Sequence, residues 1–119
     1  SHMLNNEEIA DVMADAREYM EKKGWCRHSL VNAEGNVCTL GAVGMSQGWW
    51  NVEGESWKPE TQDRLNAVVV FMTKVLHNEA GTETVITEWN DEEVRDQQEV
   101  LDLFAKAEKV ARFGSDPDA

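Results

Sequence analysis

The stretch Pro59-Glu-Thr-Gln-Asp-Arg-Leu-Asn-Ala-Val-Val-Val-Phe-Met-Thr-Lys-Val-Leu76 decides the fold class. Pro59 suits a first helical position, where its missing N–H costs nothing, and Glu60 and Asp63 favour the positive end of a helix. Leu65, Val68, Val69, Met72, Val75 and Leu76 then recur at three and four residues, the spacing of one helical face. Ala67, Val70 and Phe71 widen that face until little polar circumference is left, which predicts a central helix.

On the N-terminal side, Ile9, Val12, Met13, Ala16, Tyr19 and Met20 set the same period from Asn5 to Lys23. Glu7 and Glu8 stand at the positive end, Lys22 and Lys23 at the negative end, and Gly24 supplies the stop. Leu30-Val31, the Asn32 to Gly35 turn and Val37-Cys38 then predict a two-stranded hairpin. Thr39 is placed to cap a short helix to about Gln47, in which Gly41, Ala42 and Gly44 permit close approach, and Gly48 ends it. Trp49 to Lys58 reads as an ordered loop.

Beyond Leu76, Asn78 to Thr84 is a linker centred on Gly81. Thr84 to Trp89 is read as a short helix, with Thr82 or Thr84 able to cap it. Asn90 and Glu93 have the spacing of a capping box for a last helix that runs to about Phe113 and ends at Gly114. Its buried residues are expected to be Val94, Leu101, Phe104 and Ala105, with Val100, Ala107 and Val110 on an adjoining row. The expectation is a mainly α single domain of about four helices over residues 4–114, with a short β-hairpin between the first and second helices. Residues 1–3 read as an expression-tag scar, which removes His2 from any site, and 115–119 as a frayed tail.

Composition narrows the function classes. With 41% hydrophobic residues in 119, there is material for one modest core and no second domain. Eleven basic residues against 23 acidic ones give a formal charge of −12, which disfavours direct binding to DNA, RNA or an anionic membrane. The longest apolar run, Ala67 to Met72, is far short of the ~18 residues of a membrane span, so a cytoplasmic protein is expected. Two cysteines could close one hairpin-sized loop, but an oxidised scaffold of this size carries more, and Cys26 and Cys38 are read as thiols.

Four constellations are candidate sites, each with a plainer reading beside it. Cys26, His28 and Cys38 are zinc-type ligands that the hairpin would bring together, but they number three and lack a C-x-x-C pair, so packed thiols are preferred and no cofactor is expected. Cys38 ahead of a helix, with His28 or His77 as base, has the form of a thiol nucleophile. A small cysteine before a Gly-Ala helix is also ordinary packing. Residues 79 to 102 hold nine acids against the single Arg95, net −8. Such a stretch either keeps the surface solvated or steers a basic partner. Trp49, Trp50 and Trp57 share the one long loop, as a lid over the core or as an exposed anchor for a partner or a second copy, whereas Trp25 and Trp89 read as core pillars.

Gly24-Trp25-Cys26, Gly35 with Cys38-Thr-Leu-Gly-Ala42, and Trp89-Asn90-Asp91 with Val100-Leu101 resemble a family of small uncharacterised proteins of actinobacteria and their phages. The chain has Glu92-Glu93-Val94-Arg95 where many members have a Pro-Gly-Arg-Thr-like turn. The resemblance implies a mainly helical domain and a phage accessory role, and brings no catalytic residue. The resulting expectation is a small acidic, non-enzymatic protein-interaction module. Its partner would be a basic or nucleic-acid-binding host protein, bound through Trp49, Trp50 and Trp57 with Glu88, Asp91, Glu92, Glu93, Asp96 and Glu99. A thiol-dependent enzyme or switch on Cys38 and a self-assembling homodimer are the alternatives.

Overall fold

In the computed structural model, which describes residues 4–81 and 83–114, α1 (Asn6–Lys23) starts at a reciprocal cap. The Asn5 carboxamide oxygen accepts from the Glu8 N–H at 2.8 Å, and the Glu8 carboxylate accepts from the Asn5 N–H at 2.9 Å. The helix ends at Gly24, whose φ of +87° suits glycine and lets its N–H reach the Met20 carbonyl. The tag scar at 1–3, the tail at 115–119 and the Thr82 cap lie outside the described residues.

α1 is the central helix. Ala10, Met13, Ala16 and Met20 are fully buried between α2 (Thr39–Gln47) on one side and α5 (Gln97–Phe113) on the other. That position was expected for α3 (Gln62–Ala80), which follows a single 3₁₀ turn at Pro59–Thr61. α3 instead buries Leu65, Val68, Met72, Val75 and Leu76 and leaves Ala67 and Phe71 half-buried and Val70 53% exposed. An apolar circumference does not place a helix at the centre; being covered on two sides does, and the alanines of α1 allow both neighbours to approach. On α5, Arg112 bonds Glu7 and Asp11 of α1 at 3.1 and 3.0 Å, closing the α1–α5 seam.

The strand pair is not where the sequence put it. β1 (Trp50–Asn51) and β2 (Ser56–Trp57) form an antiparallel hairpin between α2 and α3, in register Trp50 with Trp57. Between α1 and α2 there are only two isolated bridges, Val31 with Val37 antiparallel and Trp25 with Val37 parallel. Val37 donates to the Gly24 carbonyl and accepts from the Cys26 N–H, so the pairing expected for residues 30–31 and 37–38 cannot extend into a ladder.

The last helix also begins elsewhere. α4 (Ile86–Glu88) widens into a π-helical turn, Trp89–Glu93, and α5 starts afresh after Val94 and Arg95. Its N-cap is Asp96, which accepts from the Glu99 N–H at 3.2 Å. Asn90, expected to cap, is withdrawn into the interior. Among the described residues five α-helices are present, and none is long and apolar enough to cross a membrane.

Candidate functional site

Segments far apart in sequence meet on the side chain of Asn90. Its Oδ1 accepts from the Thr39 N–H (2.9 Å), the Thr39 hydroxyl (2.7 Å) and the Trp25 indole N–H (2.9 Å). Its Nδ2 donates to the Cys26 carbonyl (3.2 Å) and to Asp91 Oδ1 (2.9 Å). The carboxamide thus stands in for a peptide between two diverging segments: beyond the Trp25–Val37 bridge, it accepts from Thr39 and donates to Cys26. Asn90 and Thr39 are completely buried, and every requirement of the amide is met. The π-helical turn sets Asn90 at this depth while Trp89 enters the core.

Asp91 continues the network outward. It accepts from the His28 N–H at 2.9 Å, and the His28 imidazole lies 3.7 Å from its other oxygen. Burial alone would raise this carboxyl, but the His28 N–H, the Asn90 amide and the charges of His28 and Arg27 outweigh it and hold the group below the usual carboxylate range. His28 adopts φ +68°, and Arg27 lies 4.6 Å over the Trp25 ring while donating to the Val94 carbonyl.

The cysteines flank this junction as thiols. Cys38, not Thr39, is the N-cap of α2, its sulfur accepting from the Gly41 N–H at 3.3 Å. Burial pushes its thiol up to about 11 despite the Gly41 and Leu40 N–H groups, the reverse of the lowering expected from a helix N-terminus. Cys26 is raised as well, by burial first, with the Asn32 N–H opposing and Asp91 and Glu34 adding to it; its sulfur lies 3.4 Å from the Ser29 and Asn36 carbonyl oxygens. His77 sits on α3 with its Nε2 3.0 Å from the Thr84 carbonyl, and among the described residues no hydrogen bond joins Cys38 to a histidine. Nor, among those residues, does any group of three or more His, Cys, Asp or Glu form a metal-binding arrangement, Cys26, His28 and Cys38 included.

The tryptophan loop is folded back. Trp49 is buried, so it is a core residue and not a surface anchor, with Arg64 5.7 Å over its ring. Trp50 and Trp57 are half-buried and meet edge to face with centroids 5.0 Å apart, and Val52 at the tip is exposed. Trp57 lies so close over α2 that a Cβ on Gly44 would stand 2.4 Å from its ring, which explains the small residue there.

The acidic stretch borders a cavity of about 230 Å³ between α3, the π-helical turn and α5. Its floor is Leu76, Ala80, Trp89 and Leu103, and its rim carries Glu79, Glu99, Asp102 and Lys106. Lys106 pairs with Glu79 at 3.1 Å, and Arg95 with Glu99 at 2.8 Å, while Asp102 accepts from the Gln98 amide and pairs with no cation among the described residues. Glu88, Glu92, Glu93 and Asp96 extend the exposed negative surface along the turn. Sequence reasoning had the acids but not the floor, because Leu76 and Leu103 each look like ordinary core positions of separate helices.

A profile of a family of unknown function (DUF6197) matches residues 4–110. The chain belongs to that family. No curated protein and no solved structure matches it. The DUF6197 match takes in the Asn90 junction, both cysteines, the tryptophan hairpin and the acid-rimmed cavity, and it assigns no activity to any of them.

Proposed function

We propose that this DUF6197 protein is a non-enzymatic interaction module that captures a basic segment of a partner protein on the acidic surface of residues 79–102. The observation that carries this reading is the cavity between α3 and α5, where a tryptophan and two leucines form the floor and three carboxylates face one ammonium at the rim. A lysine or arginine of a partner fits that arrangement, its methylenes against Trp89 and Leu103 and its charge beside Asp102. The excess of acids steers such a partner and repels nucleic acid. Trp50 and Val52 of the hairpin supply a second apolar surface beside Ser29 to Val31.

The resemblance of the Gly24-Trp25-Cys26, Cys38 to Ala42 and Trp89-Asn90-Asp91 segments to small actinobacterial and actinophage proteins supports a phage accessory setting. The partner is then a basic, nucleic-acid-binding host protein, met in the cytoplasm. A thiol enzyme on Cys38 draws no support from a buried thiol with so high a pKa. Self-association draws some from α3, where Val70, Phe71 and Ala67 with Ile9 of α1 line an open apolar groove of about 500 Å³.

Charge reversal tests the proposal. Asp96 and Glu99 are avoided because they hold the start of α5; Glu88, Glu92, Glu93 and Asp102 are changed to Lys together. Wild type should retain a stoichiometric basic protein from an actinobacterial lysate at low salt and release it at high salt, while the variant retains none and keeps its helical circular dichroism. Equal retention by a folded variant would refute the acidic-surface reading.

A further inference from the structure

Cys26 and Cys38 stand one residue beyond the parallel Trp25–Val37 bridge on their two segments, with the Cys26 N–H bonded to the Val37 carbonyl at 3.0 Å. Residues facing one another across a parallel pair are about 5 Å apart and point to the same face of it. Disulfides need Cα atoms about 4.4–6.8 Å apart, a window that includes the spacing of facing residues in such a pair. The two thiols are near enough that charge on one raises the pKa of the other. Neither sulfur is committed elsewhere by a strong bond: Cys26 has 3.4 Å contacts to the Ser29 and Asn36 carbonyls and faces the Asn32 N–H, and Cys38 takes the Gly41 N–H at 3.3 Å and faces the Leu40 N–H.

We infer that Cys26 and Cys38 form a redox modification site, closing an intramolecular disulfide when the protein meets a small-molecule disulfide of the glutathione class. The half-buried Cys26 thiolate attacks one sulfur of the oxidant, breaking its S–S bond, forming a mixed disulfide and releasing one reduced thiol. Cys38 then loses its proton to solvent and attacks the Cys26 sulfur, forming the Cys26–Cys38 bond and releasing the second reduced thiol. Two protein thiols are thereby oxidised by two electrons and one small disulfide is reduced to two thiols. The raised pKa values of both groups make the exchange slow at neutral pH and faster as pH rises.

The bridge has a defined structural effect. It ties the end of α1 to the N-cap of α2 across the two segments that Asn90 joins, at the cost of the Cys38 cap on Gly41. Oxidation therefore stiffens the junction around Asn90 and leaves the acid-rimmed cavity in place.

The test incubates the full chain with glutathione disulfide and glutathione at pH 8, blocks remaining thiols with N-ethylmaleimide, and reads intact mass and a tryptic map. Arg27 lies between the cysteines, so trypsin leaves two peptides joined only by the new bond. The expected product is 2 Da lighter than the unblocked chain, carries no maleimide, yields the linked peptides and melts several degrees higher. Cys38→Ser should stop at one glutathione on Cys26, and Cys26→Ser should stay largely unmodified in the same time. Persistent mixed disulfides, two maleimides or covalent dimers in the wild-type protein would each overturn the inference.

Discussion

Replacing Asn90 by Ala should cost the domain a large share of its stability. The change strips the partner from five hydrogen bonds, of which the two to Thr39 are wholly inside the protein. An unpaired buried N–H costs about 1–3 kcal/mol, and the Thr39 hydroxyl recovers part of its loss by turning toward another acceptor. The Trp25 indole and the Cys26 carbonyl are half-buried and regain water, so each loses only the net worth of its bond, about 0.5–1 kcal/mol. The void left by the carboxamide adds about 1 kcal/mol, for a total of about 3–6 kcal/mol. A domain of this kind has about 5–15 kcal/mol to lose. Urea unfolding followed by far-ultraviolet circular dichroism reads the difference without depending on the tryptophans. Combining Asn90→Ala with Thr39→Ala should give less than the sum of the single changes by about 1 kcal/mol, since both delete the bond from the Thr39 hydroxyl to Asn90. A loss under about 1 kcal/mol for Asn90→Ala alone would show that the junction is not the polar centre described here.

Three further outcomes follow from the same geometry. Gly41→Ala places a Cβ 2.0 Å from the Leu30 carbonyl oxygen, a backbone atom that cannot swing away, so thermal unfolding should show a loss of about 1–3 kcal/mol; an unchanged midpoint would mean that residues 28–31 do not rest on α2. The Asp91 carboxyl is held below its unfolded value, so its contribution is full above the ordinary carboxylate range and disappears as pH falls through its folded pKa. Wild type should therefore be the more stable protein near neutral pH and converge with Asp91→Asn in acid, and parallel curves would contradict that linkage. In a Cys26→Ser background, Cys38 should react with iodoacetamide at pH 7 much more slowly than a free model thiol and accelerate as pH rises toward about 11; reaction at or above the model rate at pH 7 would restore the nucleophile reading.

The parts of this fold that were legible in the sequence are those fixed by local signals. The ends of α1 follow from the Asn5–Glu8 reciprocal cap and Gly24, and α3 begins at the proline-led turn that its sequence announces. Asn90 misled because Asn-x-x-Glu has the form of a cap, while the groups that claim its side chain come from Trp25 and Thr39, 65 and 51 residues away. The cap actually used, Asp96 with Glu99, was present in the same stretch and was masked by the earlier match. The hairpin was misplaced for a related reason. The Gly35 turn is real, with Asn32 bonding the N–H groups of Glu34 and Asn36, but Val37 is shared with Gly24 and Cys26. At the candidate site the acids were visible as composition. The cavity floor was not, because it is assembled from Leu76, Trp89 and Leu103 on three elements whose packing no local pattern specifies.

The most direct test of the acidic-surface account is a titration of the ¹⁵N-labelled protein with a synthetic peptide rich in arginine and lysine, following amide and indole signals at low salt. The account predicts that the Trp89 indole and the amides of Glu79, Glu99, Asp102 and Lys106 shift together, and that salt or the four-lysine variant abolishes the shifts. Perturbations confined to residues away from that cavity, or none at millimolar peptide, would contradict it.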